Sequence, residues 1–197
     1  QVDSACVYRA GTLQIDAEYP SARYNLGRAL AEAGQFPEAA AELEKVLRAN
    51  PKSAEAHSTL GTVLMPLRRV DEAMAQFQMA VDADPNYAEA HFYLGAALRF
   101  MKGQPAKALV HWRKVIELDP DHVPALTQTA LILATHPDAA IRNAADALRF
   151  AQRAVELTGG QDPMTLDILA SAHAENGHFD DAIRVEQQAL AAARAKR

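Results

Sequence analysis

Leu26-Gly27, Leu60-Gly61 and Leu94-Gly95 recur at an even spacing of 34 residues, and the same spacing joins Ala39 to Ala73 and Pro51 to Pro85. One supersecondary unit is therefore repeated along the chain, which constrains the architecture before any other reading. Units that touch only their neighbours build one continuous array, although 197 residues leave room for one or two ordinary domains. Hydrophobic residues make up 49% of the chain but aromatics only 6%. That apolar content is mostly Ala and Leu, which suits close helix packing more than sheets.

Residues 20–53 show what the unit is. Ala22, Leu26, Ala29, Leu30 and Ala33 fall at helical spacing, and Gly34 follows as a stop. Phe36 and Pro37 open a second helix, with the proline in the first turn, where its missing N–H costs nothing. Its apolar stripe is Ala39, Ala40, Leu43, Val46 and Leu47, and Asn50-Pro51 ends it. Gly27, Gly61 and Gly95 lie inside a helix, at a cost of roughly 1 kcal/mol each against Ala. The recurrence of that cost points to a neighbour too close for a Cβ. Ala39, Ala73 and Ala108 do the same on the second helix, and Leu43, Phe77 and Trp112 share one position that fills the space between units.

These residues resemble the tetratricopeptide repeat. Leu60, Gly61, Ala73, Phe77, Ala80 and Pro85 follow its pattern, as do Leu94, Gly95, Ala108, Trp112 and Pro120, with one inserted residue near Gly103. The first unit matches at Leu26, Gly27, Gly34, Phe36, Ala39 and Pro51, with Leu43 at the aromatic position; His57 and His91 replace the usual first large residue. The resemblance implies an all-α, right-handed solenoid of antiparallel helix pairs, of the bacterial type. About five and a half repeats give about eleven helices. The expected units are 1–19, the second helix of a truncated repeat; 20–53, 54–87 and 88–122, three regular repeats; 123–160, a divergent fourth; and 161–197, a fifth ending in a cap helix.

The departures are local. The fourth unit has Thr129-Ala130 in place of Leu-Gly and spreads its turn over Thr135–Asn143; His136-Pro137-Asp138 ends its first helix, with Asp138 a candidate N-cap, and its second helix runs over roughly Ala144–Leu157. Thr158-Gly159-Gly160 is a break, and Asp162-Pro163 reads as N-cap and first helical residue. Residues 3–17 carry the second-helix pattern without its partner. The chain begins with Gln1 and has no leader pattern, so the expectation is a parent protein extended by at least one helix at the N-terminus. The same reading makes the unpaired N-terminal helix a possible homo-oligomer contact. The C-terminal helix Phe179–Ala195, with Asp181, Arg184, Gln187, Gln188 and Arg194, is expected to face water as a cap.

No catalytic constellation is present: no Walker loop, G-x-G-x-x-G, G-x-S-x-G or H-E-x-x-H. The expectation is a chain that is not an enzyme, with no cofactor and no metal. His173 and His178 are five apart and straddle Gly177, so they do not share a helical face. The paired acids Glu42/Glu44, Asp82/Asp84 and Asp180/Asp181 read as solvated or capping. Arg68-Arg69 reads as a solvated edge balanced by Asp71 and Glu72, ahead of an anion-binding rim. A net charge of −5 argues against a general nucleic-acid binder. No run of 18 apolar residues is present, so no membrane insertion by this segment is expected. The lone Cys6 fits either redox compartment, leaving cytoplasmic and periplasmic locations open.

In such arrays the first helices line the concave face, which generally holds the ligand. The resemblance maps Tyr24, Arg28, Met65, Phe92, Arg99 and Phe100 to that face, and aromatics and Arg are enriched in binding hot spots. The positions that some members use to clamp a terminal carboxylate read Tyr24, Arg28, Thr59, Glu89 and Tyr93, so that clamp is absent. The asparagine ladder of other members is absent too: Asn25 is followed by Thr59, Tyr93 and Gln128. The reading is a non-catalytic scaffold for a protein or peptide ligand. The alternatives are a self-associating structural module, or a substrate-positioning segment of a larger enzyme such as a glycosyltransferase.

Overall fold

The computed structural model describes residues 20–195. The expected helix over residues 3–17, and with it the proposed oligomer contact, lies outside them. The regular structure of the described residues is ten α-helices packed pairwise in consecutive order: α1 (Pro20–Glu32), α2 (Phe36–Ala49), α3 (Ala54–Leu64), α4 (Val70–Ala83), α5 (Ala88–Phe100), α6 (Pro105–Leu118), α7 (Val123–Thr135), α8 (Ala144–Leu157), α9 (Pro163–Glu175) and α10 (Phe179–Ala195). The chain divides into two compact units, one through Ala97 and one from Leu98. In the first, α1 packs on α2, α2 on α3 and α3 on α4, and the first helices α1 and α3 also touch. The second repeats this scheme: α6 meets α7, α7 meets α8, α8 meets α9, α9 meets α10, and the first helices α7 and α9 touch.

The helix pairs close by one local device. Gly34, Arg68, Gly103 and Gly177 occupy the same repeat position, and all have positive φ, between 59° and 76°. The next residue donates its N–H to a carbonyl one turn back in the first helix: Gln35 to Leu30 at 2.9 Å, Arg69 to Leu64 at 3.1 Å, Gln104 to Leu98 at 2.9 Å and His178 to His173 at 2.9 Å. This satisfies carbonyls that a helix end otherwise leaves open. Gln104 reaches back one residue further than the others, which absorbs the insertion near Gly103. Arg68 holds this left-handed conformation with a side chain, where glycine is the residue without a steric cost.

The helical glycines are close-approach sites. A Cβ on Gly27 would fall 2.9 Å from Cγ of Leu43, and one on Gly61 would fall 2.7 Å from Cδ1 of Phe77, inside ordinary contact distance. The close neighbour is thus a side chain of the second helix in the same pair. Leu43, Phe77 and Trp112 are fully buried, each worth about 1.5–3 kcal/mol of apolar transfer. Phe77 also stacks on Tyr93, with ring centroids 5.5 Å apart, so it packs both within its pair and toward the next one.

His57 and His91 are buried packing residues. Nε2 of His57 bonds the Pro51 carbonyl at 2.9 Å and its Nδ1 bonds Gln76 Oε1 at 2.7 Å; His91 Nε2 bonds the Pro85 carbonyl at 3.1 Å. Each histidine ties the loop between repeats to the helix that follows it.

The divergent fourth turn departs from expectation. Asn143, not Asp138, caps α8, accepting from the Asp146 N–H at 2.9 Å. Asp138 instead accepts from the Ala140 N–H within the loop, because the chain must travel further before α8 can begin. Without a left-handed closure, side chains hold this turn. Arg142 donates to the His136 and Pro137 carbonyls and pairs with Glu175 at 2.7 Å, and Asn176 donates to the Ala144 carbonyl at 2.6 Å. Asp162 caps α9 through the Thr165 N–H, as the sequence predicts.

Candidate functional site

A cup of about 460 Å³ opens on the first unit, lined by Tyr24, Arg28, Ala31 and Glu32 of α1, Glu55, Thr59 and Thr62 of α3, and Tyr87 and Glu89 at the start of α5. First helices of successive repeats supply its walls, because their other faces are spent on packing. The polar lining is tied together internally. Thr59 Oγ1 donates to the Glu55 carbonyl at 2.8 Å, and Thr62 Oγ1 to the Thr59 carbonyl at 2.8 Å. With its proton so used, Thr59 Oγ1 accepts from Tyr24 OH at 3.1 Å. Tyr87 OH donates to Glu89 at 2.9 Å. Burial first, then that bond and the charges of Glu89 and Glu55, push the Tyr87 phenol far above its ordinary value, so it stays a donor.

Of the six site residues expected from sequence, the cup brings together Tyr24 and Arg28. Met65 caps the end of α3, half-buried, and does not line it. Phe92 is half-buried with its ring edge-on to Tyr93, centroids 5.6 Å apart. Arg99 and Phe100 belong to the second unit. The Arg99 guanidinium lies 5.2 Å from the Phe100 ring centroid and 6.0 Å from that of Trp112, and donates to the Gln128 carbonyl at 3.4 Å. Burial lowers its pKa. Phe100 is 58% exposed.

Glu55 and Tyr87 are lining residues that the family resemblance does not mark. A signal for Glu55 was available: Ala54-Glu55-Ala56-His57 recurs as Ala88-Glu89-Ala90-His91, 34 residues on. The histidines of that pair draw notice, yet the glutamates occupy an equally repeated position.

The sequence pattern of one tetratricopeptide-repeat family matches residues 24–88, and that of a second matches residues 77–110. Residues 24–110 are tetratricopeptide repeats. Solved structures share its fold. YrrB, described as a TPR protein with an unusual peptide-binding site, superposes with a TM-score of 0.76 at 19% identity, over 95% of this chain and 97% of that one. MamA from Desulfovibrio magneticus RS-1 gives 0.73 at 19% identity, covering 89% and 96%. TTC0263, a thermophilic TPR protein of Thermus thermophilus, gives 0.58 at 22% identity, covering 89% and 92%. No curated protein sequence matches the chain.

Within these repeats, four of the five carboxylate-clamp positions, Tyr24, Arg28, Thr59 and Glu89, line the cup. The fifth, Tyr93, is packed between aromatic neighbours instead. The clamp position is therefore a real cavity here, with different chemistry in it.

A second cavity, of about 470 Å³, lies on the second unit, lined by Ala170, Ser171, Ala174, Phe179, Ala182, Ile183, Glu186 and Gln187. Phe179 is 65% and Ile183 59% exposed. The cap helix thus faces water with large apolar side chains as well as the polar ones expected.

Among the described residues no three His, Cys, Asp or Glu side chains are placed to hold a metal ion. His173 and His178 do not share a helix, and their ring centroids are 5.8 Å apart because the left-handed turn at Gly177 folds the chain back on itself. Arg69 pairs with Glu72 through two bonds of 2.8 and 2.6 Å, as a balanced edge. Among the described residues no helix is long and apolar enough to cross a membrane.

Proposed function

We propose that this chain is a non-catalytic scaffold that binds a protein or peptide segment, with the cup of the first unit as the main contact. Tetratricopeptide-repeat proteins are generally protein-binding and typically non-catalytic. The observation that carries the reading is the cup itself: three successive first-helix segments converge on one concave space large enough for a few side chains. Tyr24 and Arg28 are its proposed anchors. Met65, Phe92, Arg99 and Phe100 are proposed as further contacts on the first helices, outside the cup.

The test is selection of a random peptide library on the full chain, followed by binding to Tyr24→Ala and to Thr59→Arg, which fills the cup. The reading expects both variants to keep their circular dichroism spectrum and to lose the selected peptides. Undiminished binding to both sinks it. Self-association is a second reading, favoured by the exposed Phe179, Ile183 and Leu190 on α10. Light scattering over a range of protein concentrations tests it, and a constant monomer mass removes it.

A further inference from the structure

Two properties of the cup restrict what enters it. The first is charge. Arg28 pairs with Glu32 at 3.8 Å. Among the described residues Glu55 and Glu89 have no cationic partner, so one positive and three negative groups leave two negative charges on the lining. The repeated Ala-Glu-Ala-His segment puts both glutamates at the same repeat position, in the first turns of α3 and α5.

The second property is the direction of the hydrogen bonds. All four hydroxyl protons of the lining are spent inside it: Tyr24 on Thr59, Thr59 on the Glu55 carbonyl, Thr62 on the Thr59 carbonyl, Tyr87 on Glu89. What remains toward the cavity is lone pairs and carboxylate oxygens, with Arg28 the only charged donor, beside its own glutamate. An anion needs donors, whereas an ammonium or guanidinium carries donors only. The Tyr24 and Tyr87 rings and Ala31 supply apolar walls for a long methylene stem, and an aromatic face also attracts a cation.

We propose that the cup takes a lysine or arginine side chain of the bound peptide. The position used elsewhere in the family for a carboxylate is reversed in sign here. This rests on the peptide-binding reading above and adds the class of residue that is recognised.

The experiment is the same peptide selection on the full chain, now read by sequence, with capped termini so that only side chains carry charge. Lysine or arginine should be enriched at one position. Replacing that residue by norleucine should weaken binding about tenfold, and so should the double variant Glu55→Gln, Glu89→Gln, which leaves the packing unchanged. Raising the salt concentration should weaken the wild type and leave the double variant little changed. Peptides that Thr59→Arg blocks, but that are neutral or acidic and indifferent to the double variant, overturn this inference and leave the binding reading standing. Peptides that neither Thr59→Arg nor Tyr24→Ala weakens, or a selection that yields none, overturn both. A double variant that loses its helical circular dichroism is replaced by the single variants, read the same way.

Discussion

The cup on the first unit and the groove on the second have nearly the same volume, about 460 and 470 Å³, on the same helix-pair scaffold. Their linings share almost no chemistry. With Gly34 and Gly177 aligned, the groove residues Ala170, Ile183 and Glu186 fall at the positions of Gly27, Ala40 and Leu43. In the first unit those three are buried, where α2 lies between α1 and α3. On α10, the last described helix, Ile183 is open and Glu186 half-buried. Ala170 stays buried, so the groove is the packing face of a repeat, opened on its α10 side. The cup lies on the face that packing does not use, where side chains are free to answer to a ligand. In a stacked array, position within the repeat decides which cavity is structural and which is chemical.

The largest effect that tests this contrast is on stability. Gly61→Leu should cost about 3 kcal/mol, because the new side chain meets the buried Phe77 ring. Ala170→Leu stands at the same repeat position; Ala170 is itself buried, but the half-buried Glu186 stands where the first unit has a buried Leu, so the cost should be smaller, about 1 kcal/mol. Urea denaturation of both variants checks the pair. Equal costs would show that the groove is as tightly packed as the interior.

A middle-sized effect separates the two kinds of turn. Arg142→Ala removes bonds to two carbonyls and to Glu175, and should cost about 1–2 kcal/mol. Amide hydrogen exchange should rise over residues 136–143. An unchanged exchange rate there would mean that the loop holds without its arginine.

The smallest effect is a gain. Arg68→Gly relieves a side chain held at φ 59° and should raise stability by about 0.5 kcal/mol, since the strain relieved exceeds the added freedom of the unfolded chain. A lowered thermal midpoint would show that Arg68 makes contacts worth more than its strain.

How much of this was legible follows from the same contrast. Gly27, Gly61, Leu43 and Phe77 announce their packing because every repeat needs a small residue opposite a large one. Gly34 and Pro51 announce turns for the same reason. The irregular turn was harder. Asp138 and Asn143 are both good caps, and only the path of the intervening chain selects Asn143. The His173–His178 approach is not visible in helical spacing, because Gly177 folds one residue back over the other. The family resemblance maps Tyr24 and Arg28 to the concave face, and both line the cup. The acceptor character of the cup was not, because it depends on where Thr59, Thr62 and Tyr87 send their protons.

The most direct test of the account is an amide chemical-shift map of the full chain with a peptide selected as above. The account predicts shifts at Tyr24, Arg28, Thr59, Thr62 and Glu89, lost in Thr59→Arg. Shifts confined to Ala170, Ser171, Phe179 and Ile183, with the first unit unmoved, would contradict it and make the exposed packing face the binding site.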